Sequence, residues 1–455
     1  MDTKNADVII IGAGLTGLTL AYYLRRNGKK AVIIEKSNRP GGVINTVTDQ
    51  DFIYETGPNT GVLGTPEIAA LFDDLREECT LETANPKSKK RYILKNGRWR
   101  ALPSGLISAL GTPLFSFRDK IGIIGEPFRR AGTDSDESIA SMVVRRLGRS
   151  YLDYAVDPFI SGIYAGDPQK LITRYALPKL YALEQNYGSF IKGAIKKSRE
   201  PKSEAEKKAS KEVFSVKGGL GNLVRALAKS AGENNIFYGA TAIRVVPSGN
   251  AYSVKFSDNS GSDLILSSAV VISTIGSYNL PDLLPFISPE DLSPLTKLEY
   301  AAVVQVAMGY KRWNGHPLDA FGGLIPSKEN RKVLGVLFPS AIFPGRAPGG
   351  GALLSVFLGG VKRPELVNLK DEELESLVIE EVKSTLYTDQ RPDLLKIFRY
   401  FHAIPQYGIS SGDRLDCIRR IQEQYPGLIL AGNIRDGIGM ADRVKQARTI
   451  ADMLK

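Results

Sequence analysis

Gly12, Gly14 and Gly17 stand at the three glycine positions of G-x-G-x-x-G, within the run Gly12-Ala13-Gly14-Leu15-Thr16-Gly17. At this spacing the first glycine permits a sharp turn. The second lets a diphosphate approach a backbone that has no Cβ, and the third lets a helix close onto a strand. The phosphates would rest on the unpaired N–H groups and positive end of that helix. Glu35 supplies the complementary group, because its carboxylate can accept hydrogen bonds from ribose hydroxyls and would repel a 2′-phosphate, which disfavours NADP. The predicted chemistry is dinucleotide binding. Glycine-rich turns alone are common, and the weight lies in the strand before, the helix after and the acid at the end of the second strand.

Those elements follow from hydrophobic period. Residues 8–11 are a continuous apolar run, the pattern of a strand buried on both faces of a parallel sheet. Gly17, Leu20, Ala21 and Leu24 make the sheet-facing stripe of a helix that Gly28 stops. Residues 31–34 form the second strand. Arg39-Pro40-Gly41-Gly42 follows, with Thr46 beyond it; it reads both as a type II turn and as a second glycine pair beside the diphosphate. Thr65-Pro66-Glu67 opens a helix expected to reach residue 78, and residues 91–94 and 99–102 form a hairpin across Lys95-Asn96-Gly97. From residue 103 to 198 helix signals and prolines dominate, with a capped helix expected at 135–147. The stretch 157–168 looks too rich in glycine and proline for a helix interior. Residues 104–128 mix Leu, Ile and Phe with few charges, either as packed short helices or as a surface that meets a membrane.

Strand and helix alternate again at 213–231, followed by three strands at 236–246, 252–256 and 264–274. Residues 301–310, 322–325, 333–338, 352–357 and 397–402 read as strands of a largely antiparallel domain that includes a helix at 371–386. The end of the chain returns to the opening pattern. A buried strand at 428–431 leads through Gly432-Asn433 and a glycine-rich loop at 436–439 into a last helix at 440–454. Its positive end can be aimed at a ligand held by the first motif.

The totals narrow the class. At 455 residues the chain exceeds one ordinary core. Two histidines argue against a histidine-rich metal site or a histidine-centred triad, and no metal site is expected. Cys79 and Cys417 lack metal-type spacing and read as reduced, packed thiols of a cytoplasmic protein. The start of the chain has no basic n-region, so no targeting segment is expected, and no apolar run is long enough to span a bilayer. The net charge of +11 favours an anionic small molecule, an anionic membrane face or nucleic acid. Residues 196–212, mixed in sign and free of aromatics, read as a solvated segment, so no nucleic-acid partner is expected.

With these residues in place the sequence resembles the oxygen-dependent protoporphyrinogen oxidases of the amine-oxidase/phytoene-desaturase flavoprotein superfamily. The likeness runs through G-A-G-L-T-G, R-P-G-G, E-T-G-P-N-T, R-Y-I-L-K-N-G, D-P-F-I-S-G-I-Y-A-G-D-P, L-P-K-L-Y-A-L-E-Q-N-Y-G-S-F-I-K-G, V-K-G-G-L, F-G-G-L-I-P-S-K-E and A-G-N-I-R-D-G-I-G-M-A. The glycine motifs are shared across the superfamily; residues 157–168 and 177–193 are the specific part. The resemblance implies an α/β, two-dinucleotide-binding-domain flavoprotein. Its Rossmann-like FAD domain would be built from segments 1–85, 213–285 and 420–455, with a β-rich substrate domain at 286–419. A mainly helical domain at 86–212 would face a membrane or form a channel. It implies FAD as cofactor and oxygen as acceptor in the six-electron oxidation of a porphyrinogen. Either protoporphyrinogen IX or coproporphyrinogen III would be the substrate, with hand-over of product to the next enzyme of heme biosynthesis. The flavin carries the chemistry, so no protein residue is nominated as catalytic.

Carried over by position, Arg91 pairs with a substrate propionate, Leu324, Leu337 and Phe357 stack on pyrrole rings, and the backbone of Gly162 lies over the macrocycle. Arg98 and Arg100 rival Arg91. Besides the first motif, the implied cofactor positions are Glu35, Lys36, Arg39, Gly41, Gly42, Gly57, Pro58, Asn59, Thr60, Ile243, Thr274, Gly432, Asn433, Gly439, Met440 and Ala441. An amine oxidase or carotenoid desaturase of the same superfamily, and a flavin-bound protein without turnover, are the alternatives.

Overall fold

The structure, a computed structural model, describes residues 4–103, 108, 111–201 and 203–455. At its centre a five-stranded parallel sheet runs in the order Ile236–Phe237, Ala31–Ile34, Val8–Ile11, Val270–Ser273, Leu428–Leu430. Three distant stretches of chain thus share one sheet. Every residue of Val8–Ile11 and Ala31–Ile34 is buried, because helices cover one face and a second layer covers the other. The helices Leu15–Arg26, Gly221–Ala231 and Met440–Met453 share the core on the first face. On the second face lie the strands Thr241–Ser248, Ala251–Ser257 and Asp263–Ser268, together with the helix Ser411–Gln424.

The expected strands 236–246 and 264–274 each prove to be two. Ile236–Phe237 and Val270–Ser273 belong to the parallel sheet, whereas Thr241–Ser248 and Asp263–Ser268 belong to the meander. Gly239, at φ +68, turns the first pair between sheets.

The second large sheet has seven strands in the order Leu394–Pro405, Tyr300–Tyr310, Ala352–Gly359, Val333–Leu337, Gly322–Leu324, Arg91–Lys95, Arg98–Ala101. The hairpin of residues 91–101 is therefore its edge rather than part of a helical unit starting at 86. Arg91–Lys95 pairs in parallel with Gly322–Leu324, a contact between chain segments more than two hundred residues apart.

In the helical segment the helix expected at 135–147 is shorter, Ile139–Arg146, because the Ser138 side chain caps it. The helix opened by Thr65 ends at Asp74 instead of residue 78. The stretch read as too broken for a helix is one: Asp157–Tyr164 is helical and continues out of the π-helical turn Leu152–Val156, which stands just before Pro158, and Ala165 ends it in the left-handed region. Of the apolar stretch 104–128, residues 104–107, 109 and 110 lie outside the described residues, as do residues 1–3 and Lys202. Cys79 and Cys417 are free and buried, as expected.

Candidate functional site

The three glycines of the first motif answer to different neighbours. A Cβ on Gly12, whose φ is +104, would lie 2.8 Å from Thr274 Oγ1, and one on Gly17 would lie 2.0 Å from the Gly12 carbonyl oxygen. A Cβ on Gly14 would meet no atom of the described residues within 4 Å. Gly12 and Gly17 are required by the protein's own atoms; the space at Gly14 is left for something else. Gly14 also starts the helix Leu15–Arg26 without a side-chain cap and without an acid in the first turn, so its N-terminal end is electrostatically uncompensated.

Glu35 is buried and accepts hydrogen bonds from the Ala13 N–H (2.6 Å) and the Ser37 N–H (2.8 Å). It holds the glycine loop against the end of its own strand. Lys36 is exposed. The Gly41 N–H donates to the Ala13 carbonyl at 2.7 Å, and a Cβ on Gly42 would lie 3.4 Å from Gly14 Cα, so the two glycine runs lie side by side. Gly41, at φ +105, suits the third position of a type II turn. The Arg39 guanidinium moulds this loop from within, donating to the carbonyls of Gly42 (2.8 Å) and Ile44 (3.1 Å).

The turn containing Gly57, Pro58, Asn59 and Thr60 is the joint between the two large sheets. A Cβ on Gly57 would sit 2.0 Å from the Val43 carbonyl oxygen. The Asn59 amide donates to the Gly57 carbonyl (3.1 Å) and its oxygen accepts from Ser355 Oγ (2.7 Å). Gln305 Nε2 donates to the Glu55 carbonyl at 2.8 Å, and the Tyr400 hydroxyl to the Thr56 carbonyl at 2.5 Å. Sequence reasoning missed Ser355, Gln305 and Tyr400. The usable signal was a polar side chain inside an otherwise apolar strand, as in V-V-Q-V-A-M and L-L-S-V-F.

Glu55 itself is buried, accepting from Thr46 Oγ1 (2.6 Å) and from the Leu220 N–H (2.8 Å). Burial pushes its carboxyl up to about 7 from 4.5, against the pull of those two hydrogen bonds. Because the folded value lies above the unfolded one, its stabilising contribution is full below 4.5 and is lost as pH rises through about 7. Denaturation midpoints at pH 5 and pH 8 test this: the wild type is expected to lose more stability across the interval than Glu55→Gln, and parallel losses would sink the assignment.

At the other end of the chain, a Cβ on Gly432 (φ +87) would lie 2.8 Å from the Thr274 carbonyl oxygen, which places the 431–439 loop against the first motif. Asn433 is half-buried and Gly439 precedes the helix that begins with Met440 and Ala441; the Asp442 carboxylate accepts the Gly439 N–H at 3.1 Å. Ile243 stands apart. Its partly buried side chain packs on the core beneath the parallel sheet, next to a register shift in its strand.

The positions for which the resemblance implies substrate contact converge on the seven-stranded sheet. Cross-strand register aligns Arg91, Gly322, Leu337 and Ser355 in one row, and Arg100, Ile93, Leu324, Gly335 and Phe357 in the row two residues along. Alternation puts both rows on the same face. It is the face whose Ser355 bonds Asn59. Arg91 is exposed, lies over the Phe321 ring at 5.4 Å, and forms no ion pair among the described residues. Gly162 enters from the helix Asp157–Tyr164, where a Cβ would be 2.4 Å from Leu324 Cδ2. That helix is pinned by Asp157, which accepts from the Ser327 N–H (2.7 Å) and Lys362 Nζ (2.5 Å). Asp157 thereby locks the D-P-F-I-S-G stretch onto the F-G-G-L-I-P-S stretch.

A parallel sheet assembled from three segments, glycine loops meeting at the C-terminal ends of its strands, and a second sheet presenting an apolar face to that edge together define a dinucleotide-cofactor protein. The residues fit a flavin dinucleotide: an open cradle at Gly14, an uncapped helix end and a carboxylate at Glu35. The sequence profile of the flavin-containing amine oxidoreductases matches residues 15–453. The chain belongs to that family. A mitochondrial protoporphyrinogen oxidase of Nicotiana tabacum is 30% identical, the match covering 98% of this chain and 94% of that one. A coproporphyrinogen III oxidase of Bacillus subtilis (strain 168) is 27% identical, over 100% and 99% of the two chains. A crystal structure from Exiguobacterium sp. 255-15 superposes with a TM-score of 0.81 at 22% identity, covering 100% of this chain and 99% of that one.

Proposed function

We propose that this chain is an FAD-dependent oxidase that converts a porphyrinogen to the porphyrin in heme biosynthesis, with oxygen as electron acceptor. The observation that carries the reading is the sheet face bearing Leu324, Leu337 and Phe357, with Arg91, which forms no ion pair among the described residues, on the same face and the joint at Asn59 beside it. Such a face suits a flat, largely apolar disc with carboxylates on its rim. The flavin, when bound, supplies the two-electron chemistry that removes hydride from the macrocycle and passes electrons to oxygen. The chain's own part is to bind, orient and keep water out. Gly12–Gly17, Glu35, Gly41, Gly42 and Gly57–Thr60 would hold the cofactor, and Thr274 and Gly432–Ala441 would close over it. Leu324, backed by Gly162, would press the disc, and Arg91 would fix its rim through a bidentate carboxylate contact.

Protoporphyrinogen IX is the first substrate to test. Coproporphyrinogen III, with four carboxylates, is the second reading, favoured by Arg100 on the same sheet face as Arg91. Fluorescence assays of the purified holoprotein with each porphyrinogen, and with amines and polyenes as controls, test the reading; turnover of a control with no porphyrin formed would overturn it. A charge-assisted contact is worth about 1.5–3 kcal/mol. Arg91→Ala is therefore expected to raise KM roughly 10- to 100-fold with little change in kcat. An unchanged KM would move the role to Arg100.

We also propose peripheral contact with an anionic membrane. Among the described residues no helix is long and apolar enough to cross one. The helix Phe117–Ile124 instead turns Phe117 (78% exposed), Ile121 (53%) and Ile124 (69%) outwards at helical spacing, and Phe128 (85%) extends the stripe. Lys192 Nζ lies 5.4 Å from the Phe128 ring, placing positive charge beside it. This suits insertion into a headgroup boundary. Sedimentation with phosphatidylglycerol vesicles is expected to fall for Phe117→Ser with Phe128→Ser; equal sedimentation would refute the contact.

A further inference from the structure

The 431–439 loop is held by buried polar side chains that bond its backbone. The Tyr407 hydroxyl is shared between the carbonyls of Asn433 (2.9 Å) and Gly437 (3.1 Å), Gln446 Oε1 accepts the Gly432 N–H (2.8 Å), and Arg443 Nη2 donates to the Arg435 carbonyl (2.8 Å). Arg414, on the helix Ser411–Gln424, completes the set with Nε on the Ile434 carbonyl at 3.0 Å.

Arg414 differs from the other buried arginines in its charge balance. It is fully buried, its guanidinium carbon lies 5.0 Å from the Tyr407 ring centroid, and Nη2 reaches only Ser411 Oγ at 3.1 Å. Among the described residues Nη1 has no hydrogen-bond partner. The groups that act on it electrostatically are the phenols of Tyr407, Tyr300 and Tyr175, with no carboxylate among them, and burial pulls its pKa below the usual arginine value. By contrast, Arg146 is paired with Glu126 and Glu184, and Arg443 feels Asp442 and Asp436. An isolated buried cation is destabilising. Such a cost is tolerated where an anion later arrives.

Its position says which anion. Arg414 bonds the residue two beyond Gly432, at the C-terminal end of the strand Leu428–Leu430. Tyr300, one of its phenolic neighbours, accepts the Ser277 N–H at 3.1 Å, just past the end of the strand Val270–Ser273. Both loops lie on the cofactor edge of the parallel sheet. We propose that Arg414 is a positioning residue for the flavin, an uncompensated positive charge built behind the 431–439 loop that tightens binding of the anionic cofactor and favours its reduced, negatively charged form. A fixed charge in a dry site acts through space and needs no reorganisation when the electrons arrive.

The inference rests on the flavin reading, and the test separates the two. Wild type, Arg414→Met and Arg414→Gln, the last retaining a donor for Ile434, are each prepared with and without FAD. Flavin dissociation constant, flavin-induced gain in Tm and midpoint potential are then measured. In both variants the dissociation constant is expected to rise at least tenfold, the flavin-induced gain to shrink and the potential to move negative. Flavin-free Arg414→Gln, which keeps a donor for the Ile434 carbonyl, should melt no lower than wild type, because the unpaired charge is gone. A purely structural clamp would instead lower Tm equally with and without flavin. That result, or an unchanged potential and affinity in either folded variant, overturns the inference. A wild type that binds no FAD refutes the cofactor reading itself.

Discussion

Arg146→Ala is expected to cost about 3–5 kcal/mol of stability, the penalty of leaving one member of a buried ion pair behind. Arg146 and Glu126 are both fully buried and paired with each other. Arg146 also donates to the carbonyls of Arg129 (2.8 Å) and Gly188 (3.0 Å). Glu126 in turn accepts from Ser189 Oγ (2.5 Å), the Phe190 N–H (2.9 Å) and the Ile191 N–H (3.2 Å), so it caps the helix Phe190–Arg199. Desolvation raises its pKa, but the hydrogen bonds from Ser189, Phe190, Ile191 and Arg146 outweigh it and the net shift is downward. A depressed folded value means that the stabilising effect is present above the unfolded pKa and is lost as pH falls through the folded one. The deficit of Arg146→Ala should therefore be largest near neutrality and narrow in acid. Replacing both partners by apolar residues, Glu126→Leu with Arg146→Met, is expected to recover most of the loss. Urea midpoints at several pH values decide the matter; a single-variant loss under about 1 kcal/mol would mean the lobe is held by apolar packing alone.

The cofactor half of the molecule was legible because its signals are local. Gly12–Gly17, the apolar runs beside them and Glu35 lie within one short unit, and residues 428–440 repeat the same texture. What was hidden is what depends on distant neighbours. The hairpin 91–101 alternates as it would in any sheet, and nothing in its residues says that its parallel partner begins at Gly322. Residues 157–164 carry Pro158 and Gly162, which in sequence read as interruptions of a helix. Pro158 follows the π-helical turn Leu152–Val156 without breaking the helix, and Gly162 leaves room for the Leu324 side chain, whose Cδ2 would lie 2.4 Å from a Cβ there. Tyr407, Arg414 and Gln446 carry no pattern at all. A polar residue on an amphipathic helix, as Arg414 and Gln446 are, or in a loop, as Tyr407 is, is ordinarily solvated, and only the fold turns these inward onto the 431–439 loop.

Two substitutions in one motif should separate fold from cofactor. Gly14→Val is expected to leave a folded protein that is purified colourless. A Cβ there meets no atom of the described residues within 4 Å, and Gly14 has φ −72, which any L-residue adopts, so the chain loses little. The added methyls would instead occupy the space next to the first helical N–H groups, where the diphosphate is expected. Gly17→Ala is expected to do the opposite damage first. Its Cβ would lie 2.0 Å from the Gly12 carbonyl oxygen and 3.3 Å from Ile10 Cγ2, so the helix Leu15–Arg26 must lift off the central strand. Overpacking of a core contact typically costs about 1–3 kcal/mol, and here the contact is with backbone, which has the least room to yield. The Gly17 variant should then lose thermal stability even without flavin, whereas the Gly14 variant should match the flavin-free wild type. Absorbance near the flavin band, read with apoprotein Tm, distinguishes the two; a yellow Gly14→Val protein would place the diphosphate elsewhere.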